Sequence, residues 1–257
     1  MAGKSTISIT FKLDGDGRGF KSLARDADGL KKSLTSTLTE AQKFNSKAIN
    51  FAAISTGITQ ASASINQMVG VLNGLTGEYQ ASKQAETQLI TVMKQRMGAS
   101  NSDIQSIQKL AAEQQSLGVI EDDTLIRGAQ QVATFLTQKS SLSALIPAMG
   151  NLIAQQKGIN ATSEDAYNIG NLLGKAMQGQ TSALRRVGIT FTAAQEQVMK
   201  YGDESQRAAM LAQIITDNVG NMNAELGKTD IGYLKQLENK FGDLKEKIGG
   251  VAQAAMP

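Results

Sequence analysis

Between Phe20 and Tyr79 the sequence repeats every seven residues, and few folds other than a long helix satisfy such a repeat. One column reads Leu23, Leu30, Thr37, Phe44, Phe51, Ile58, Ile65, Leu72 and Tyr79, all large and apolar except the threonine. Its companion column reads Phe20, Ala27, Leu34, Ala41, Ala48, Ser55, Ser62, Val69 and Thr76, and is mostly small. Kept in phase over this length, the pattern predicts an α-helix that buries a narrow stripe against other helices. At 1.5 Å per residue such a helix is roughly 90 Å long. A rod of that length needs partners, most simply copies of itself.

The expected self-association set is therefore Leu23, Leu30, Leu34, Phe44, Phe51, Ile58, Ile65, Leu72 and Tyr79, centred on Phe44, Phe51, Ile58 and Ile65. The small column lets neighbouring helices approach closely. A second reading stays open, in which the helix folds back onto the rest of the chain. Gly57, Gly70, Gly74 and Gly77 would permit it, since each weakens a helix by about 1 kcal/mol relative to Ala.

Composition favours helices throughout. Aromatics are only 4%, Trp is absent, and the two prolines are Pro147 and Pro257, so the core must be packed from Leu, Ile, Val, Met and Ala. The absence of Cys and His removes disulfides, Cys/His zinc sites and every histidine-based triad. Net charge is +3, with basic residues in excess over the first fifty positions. No cluster there is dense enough to predict sequence-specific nucleic-acid binding. The start of the chain lacks the apolar core of a signal peptide. From Ala48 to Gly77 there is no charged residue, a length sufficient to cross a bilayer. Asn50, Thr56, Thr59, Gln60, Asn66, Gln67 and Asn73 within it fit a helix buried among helices better than hydrocarbon.

Before the long helix, Ile7, Ile9, Phe11 and Leu13 alternate with polar residues, which predicts one short β-strand that must pair elsewhere. The run from Asp14 to Gly19 imitates the opening of a calcium loop, but Arg18 and Arg25 stand where ligands belong. A glycine-rich turn is the expected reading. After about residue 80 the apolar spacing turns irregular. It predicts a compact bundle of short helices over 82–97, 103–117, 122–138, 142–157, 163–178, 193–201 and 204–219. Capping boxes are expected at Ser102 to Gln105 and Thr192 to Gln195. Further N-caps are expected at Asp122, Ser141, Thr162 and Asp203. Gly98, Gly118, Gly158, Gly179, Gly202 and Gly220 are expected at helix ends, and glycine is read as punctuation throughout. Pro147 falls within the fourth helix, where it predicts a kink. Leu234, Leu237, Phe241, Leu244, Ile248 and Val251 then predict a second coiled-coil helix. The fold class expected is all-α: strand and turn over 1–19, heptad helix over 20–80, bundle over 81–230, and a further rod from 231. The sequence reads as the front of a longer protein.

Several polar groups invite a chemical reading. Arg185 and Arg186 form a basic pair, expected at a short helix end rather than on an anion. Carboxylates cluster at Glu121, Asp122 and Asp123, at Glu164 and Asp165, and at Asp203 and Glu204. All three clusters fall at expected helix starts, where acids complement the dipole. Met93, Met149, Met177, Met199 and Met210 lie in apolar stripes as core fillers. No catalytic, cofactor or metal residues are expected.

One region resembles a known family. Gly174–Ile189 (GKAMQGQTSALRRVGI) is followed by Thr192–Gln195, Tyr201–Gly202, Ala208–Leu211, Asn218–Asn223 and Leu234–Leu244. In this order the elements are similar to the conserved region of phage tail tape measure proteins, whose opening the strand, turn and heptad helix also resemble. The resemblance implies a structural virion component without enzymatic activity. It implies a homo-oligomer, trimer or hexamer, in the tail lumen after assembly in the host cytoplasm. The implied partners are the tail tube protein, tail assembly chaperones and, on ejection ahead of DNA, the host envelope. Helical length would set tail length. The alternative expectation is a membrane-active or pore-forming helical protein acting through 48–77.

Overall fold

In the computed structural model of the 257-residue chain, residues 65–254 are described, with side chains described at 79–80 and over 82–247. Ten α-helices follow one another, and no strand occurs among the described residues. They are α1 (Ile65–Met97), α2 (Asn101–Leu117), α3 (Asp122–Ala133), α4 (Lys139–Lys157), α5 (Ser163–Met177), α6 (Ser182–Arg185), α7 (Ala193–Tyr201), α8 (Glu204–Val219), α9 (Met222–Gly227) and α10 (Asp230–Ala254). A 3-10 turn, Gly158–Asn160, follows α4. The compact unit is Asn73–Gly249; of the second unit, residues 65–72 and 250–254 are described, and both are helical. The strand expected at Thr6–Leu13, the glycine turn and the heptad helix up to Ser64 lie outside the described residues.

The core forms around α4. Leu142, Leu145, Ile146, Met149, Leu152 and Ile153 are all buried, as are Ala148, Gly150, Asn151 and Ala154 between them. A helix apolar on every side belongs in the centre of a fold, and α4 packs against α2, α3, α5, α8 and α9. Pro147 sits within it without ending it. By contrast α8 buries a single stripe of Ala208, Leu211, Ile214 and Ile215. Met93, Met149, Met177 and Met199 are buried, and Met210 packs partly buried against the same core.

The closest helix pairing is α3 on α5. A Cβ on Gly170 would lie 2.5 Å from the Gly128 carbonyl oxygen, and one on Gly174 would lie 2.1 Å from the Phe135 ring. Neither position admits a side chain without moving a helix. Glycine inside helices here permits backbone approach, which corrects its reading as punctuation alone. At helix ends the expected role holds: Gly158 and Gly220 cap α4 and α8 with φ of 59° and 63°, backbone that L side chains resist. Gly98, Gly118, Gly179 and Gly202 also follow helix ends.

Capping separates local from distant causes. Thr192, Thr162 and Asp203 each accept a hydrogen bond from the third helical residue in reciprocal capping boxes. The box expected at Ser102 is instead Ser100 with Asp103. The Asp103 carboxylate accepts from the Ser100 N–H at 2.9 Å, while the Ser102 hydroxyl only meets the Ser100 hydroxyl at 2.8 Å. Asp122 is the first helical residue of α3, with Glu121 at the cap position. Ser141 is not a cap either: α4 begins at Lys139, and Ser141 is buried in it.

Helix α3 stops at Ala133, five residues short of the expected end. The turn that follows is secured from elsewhere. Arg96 donates to the Leu136 carbonyl at 3.3 Å, and Gln178 donates to that of Phe135 at 3.0 Å. The Glu204 carboxylate accepts from the N–H groups of Thr137 at 2.9 Å and Gln138 at 2.8 Å. At the other end of the bundle α1 runs unbroken through residue 80, where the apolar pattern changes.

Candidate functional site

The site is assembled on the loop between α2 and α3. Gly118, Val119 and Ile120 are buried, so their backbone groups require partners inside the protein. Asn223 of α9 supplies most of them. Its Oδ1 accepts from the N–H of Val119 at 2.8 Å and of Ile120 at 3.1 Å, and its Nδ2 donates to the Gln114 carbonyl at 3.2 Å. Asn151 of α4 holds Asn223 in place by accepting its backbone N–H at 3.1 Å. A Cβ on Gly118 would lie 2.2 Å from the Asn223 side chain, so only glycine lets the loop come this close. Asn239 of α10 donates to the Val119 carbonyl at 3.2 Å.

That loop delivers Glu121, Asp122 and Asp123 to the start of α3, facing α10. Gln115 of α2 bridges the two helices. Its Oε1 accepts from the Asp122 N–H at 2.7 Å, and its Nε2 donates to both carboxylate oxygens of Asp243 at 3.1 and 2.9 Å. Ser82 of α1 donates to Asp123 at 3.0 Å, and Glu246 of α10 stands beside both in the same groove lining. Beside this contact lies an open groove of about 550 Å³. Ser82 and Gln88 of α1, Arg127 of α3, and Lys235, Phe241 and Glu246 of α10 line it.

Its electrostatics are one-sided. Burial, then the Asp243 and Asp123 carboxylates, push Asp122 up to about 7. Burial and the hydrogen bond to Asp123 push Glu246 up to about 9. Glu121 and Asp243 are also raised, each chiefly by burial and further by Asp123. The cations nearby are engaged: Lys235 pairs with Glu238 at 3.2 Å, and Lys83 with Glu86 at 2.5 Å. Arg127 donates to Gln88 at 2.9 Å and Gln130 at 2.6 Å and lies over the Tyr167 ring.

Burial and neighbouring like charge favour the protonated form of these carboxyls above the ordinary carboxylate range. Among the described residues no grouping of acidic side chains has the geometry to hold a metal ion.

The residues expected to matter from sequence fall elsewhere. Leu23, Leu30, Leu34, Phe44, Phe51 and Ile58 lie outside the described residues. Ile65, Leu72 and Tyr79 fall on α1, and Tyr79 is half-buried, with the Lys83 ammonium 5.8 Å from its ring centre. Arg185 ends α6 and pairs with Glu196, and Arg186 caps that helix. The second seam lies on α10, where Leu234, Leu237 and Leu244 are half-buried and Phe241 is 41% exposed. No helix among the described residues is long and apolar enough to cross a membrane; residues 48–64 of the uncharged segment lie outside them. Sequence reasoning found the acidic run at 121–123 and missed Asp243, Glu246, Gln115 and Asn223. Asn223, Asp243 and Glu246 come from more than 100 residues away, and Gln115, though only seven residues before Asp122, bonds to Asp243 across 128 residues, so no local pattern marks any of them.

None of the family models, curated proteins or solved structures compared with this chain matches it.

Proposed function

We propose that this chain is a structural component of a phage tail, a self-associating helical tape measure protein. Copies lie in the tail lumen as a trimer or hexamer, with tail tube protein and assembly chaperones as partners. Helix length sets how far the tube grows, and the rod leaves ahead of the DNA, meeting the host envelope. The carrying observation is α1: Ile65, Leu72 and Tyr79, the last three positions of the seven-residue seam, fall on one helix that continues to Met97. An all-helical bundle behind that seam also fits the reading.

Two measurements test it. In-frame deletions between residues 20 and 79 of the protein in phage should shorten tails by about 1.5 Å per residue removed. Tails of unchanged length in electron micrographs overturn the ruler. Replacing Phe51 and Ile58 with Asp should abolish association in sedimentation while the 81–230 bundle keeps its cooperative melting. Unchanged oligomer mass overturns the bundle of copies.

A further inference from the structure

The contact of α10 with α1 and α3 is fastened by polar side chains, and six carboxyls gather at it. Asp122 and Asp123 face it from α3, with Glu121 just before them, while Ser82 and Lys83 face it from α1 and Gln115 from α2. Ser163 of α5 lines the same groove. From α10 come Lys235, Glu238, Asp243, Lys245, Glu246 and Lys247. Asn239 adds an independent sign: it is 1% exposed, it lines the groove, and its Oδ1 has no hydrogen-bond partner. A buried acceptor without a donor, set among carboxyls, marks a place short of protons or positive charge.

We propose that this contact is a proton-locked clasp, which holds α10 on the bundle when its carboxyls are protonated and releases it when they ionise. In the closed state Ser82 of α1 donates to the Asp123 carboxylate, with Glu246 of α10 beside them, and Gln115 ties the Asp122 N–H to the Asp243 carboxylate. When Glu246 and Asp122 lose their protons, four neighbouring carboxylates from α3 and α10, Asp122, Asp123, Asp243 and Glu246, are charged together beside an open groove. Like charges in such a setting repel, and little apolar burial opposes them. Leu234, Leu237 and Leu244 are only half-buried and Phe241 is exposed, unlike the enclosed side chains of α4. The α2–α9 core has its own buried contacts and stays folded. The sign follows from the raised carboxyls: the closed form binds more protons, so its population falls as pH rises from the ordinary carboxylate range toward 9. Each proton released shifts the closed-to-open ratio by up to about tenfold per pH unit.

The chain has no native cysteine, so two introduced cysteines can carry spin labels on the full chain. Lys109 on α2 and Lys240 on α10 are both exposed, and each is replaced by Cys. The distance distribution between the labels is read from pH 5 to pH 9.5, with far-UV ellipticity as the folding control. A single short distance at low pH should give way to longer and broader ones above pH 8, while ellipticity is largely kept. Adding Asp122→Asn and Glu246→Gln should hold the short distance at every pH. Glu246→Gln alone, at a half-exposed position, should raise the pH of opening and serves if the double variant folds poorly. A distance independent of pH in the parent, or opening of the variants at the parent's pH, overturns the clasp.

Discussion

Two sets of carboxylates in this molecule start from the same chemistry and end in opposite states. Asp103, Asp165 and Glu204 face N–H groups, hydroxyls or lysines. Lys139 and Ser100 hold Asp103 down to about 2, and Lys157 and Thr162 hold Asp165 low. Burial pushes Glu204 up, but the donors on Thr137 and Gln138 outweigh it and leave it below the ordinary range. Asp122, at the start of α3 just as Glu204 is at the start of α8, is pushed the other way. A helix start explains why an acid stands at each position. Its charge state depends on what packs over it, and α10 brings two more acids to Asp122.

The largest expected effect comes from removing the charge on the crowded side. Asp122→Asn keeps the acceptor that serves the Asp123 N–H at 2.9 Å. In the parent, the folded state keeps its Asp122 proton between the unfolded value of 3.8 and about 7. Stability therefore declines as pH rises through that window and stays reduced above it. The variant should be more stable at pH 8 by about 2 kcal/mol, after discounting for solvent screening, and equal to the parent at pH 3.5. Urea midpoints at the two pH values check this, and an equal difference at both would sink it.

Next in size is Glu204→Ala, which strips the turn after α3 of its donors' partner. The N–H groups of Thr137 and Gln138 and the Thr137 hydroxyl, 2.6 Å from the carboxylate, would all be left to water. A loss of about 1 to 2 kcal/mol is expected. Here the pH sign reverses: the Glu204 pKa is lowered, so its contribution is present above 4.5 and fades as pH falls through the folded value. Faster amide exchange at Thr137 and Gln138 should accompany the loss, and unchanged exchange would count against the assignment.

The same division separates what the sequence made legible from what it hid. Thr162, Thr192 and Asp203 could be read as caps because cap and acceptor lie three residues apart. The bundle helices were legible for the same reason, apart from the brief α6 and α9, which have too few residues to show a period. The early end of α3 was not, since its partners sit on α1, α8 and just past α5. Gly170 and Gly174 lie inside an expected helix with no local reason to be glycine, and the reason is visible only with Gly128 and Phe135 set against them. Ser100 and Ser102 both precede an acid or amide by three residues. The first of these boxes also has its acid, Asp103, paired with Lys139, 36 residues on. The acidic site follows suit: its first half is a run in the sequence, and its second half arrives with α10.

The smallest effect should come from Lys157→Ala, which removes the 2.8 Å ion pair with Asp165 across the turn from α4 to α5. Lys157 is exposed and Asp165 partly so, with 49% and 19% of their side-chain surface accessible, and solvent-accessible pairs contribute about 0.5 kcal/mol. Thr162 still donates to the carboxylate through its hydroxyl at 2.7 Å and its N–H at 3.1 Å, so the cap persists. Asp165 should therefore titrate higher in a carboxyl-resolved NMR titration while the melting temperature barely moves. If the same loss moved stability as far as Asp122→Asn does, burial would not be what divides the two sets. A small effect would trace the contrast to water: Asp165 has solvent to replace a lost partner, and Asp122, more deeply set under α10, has less.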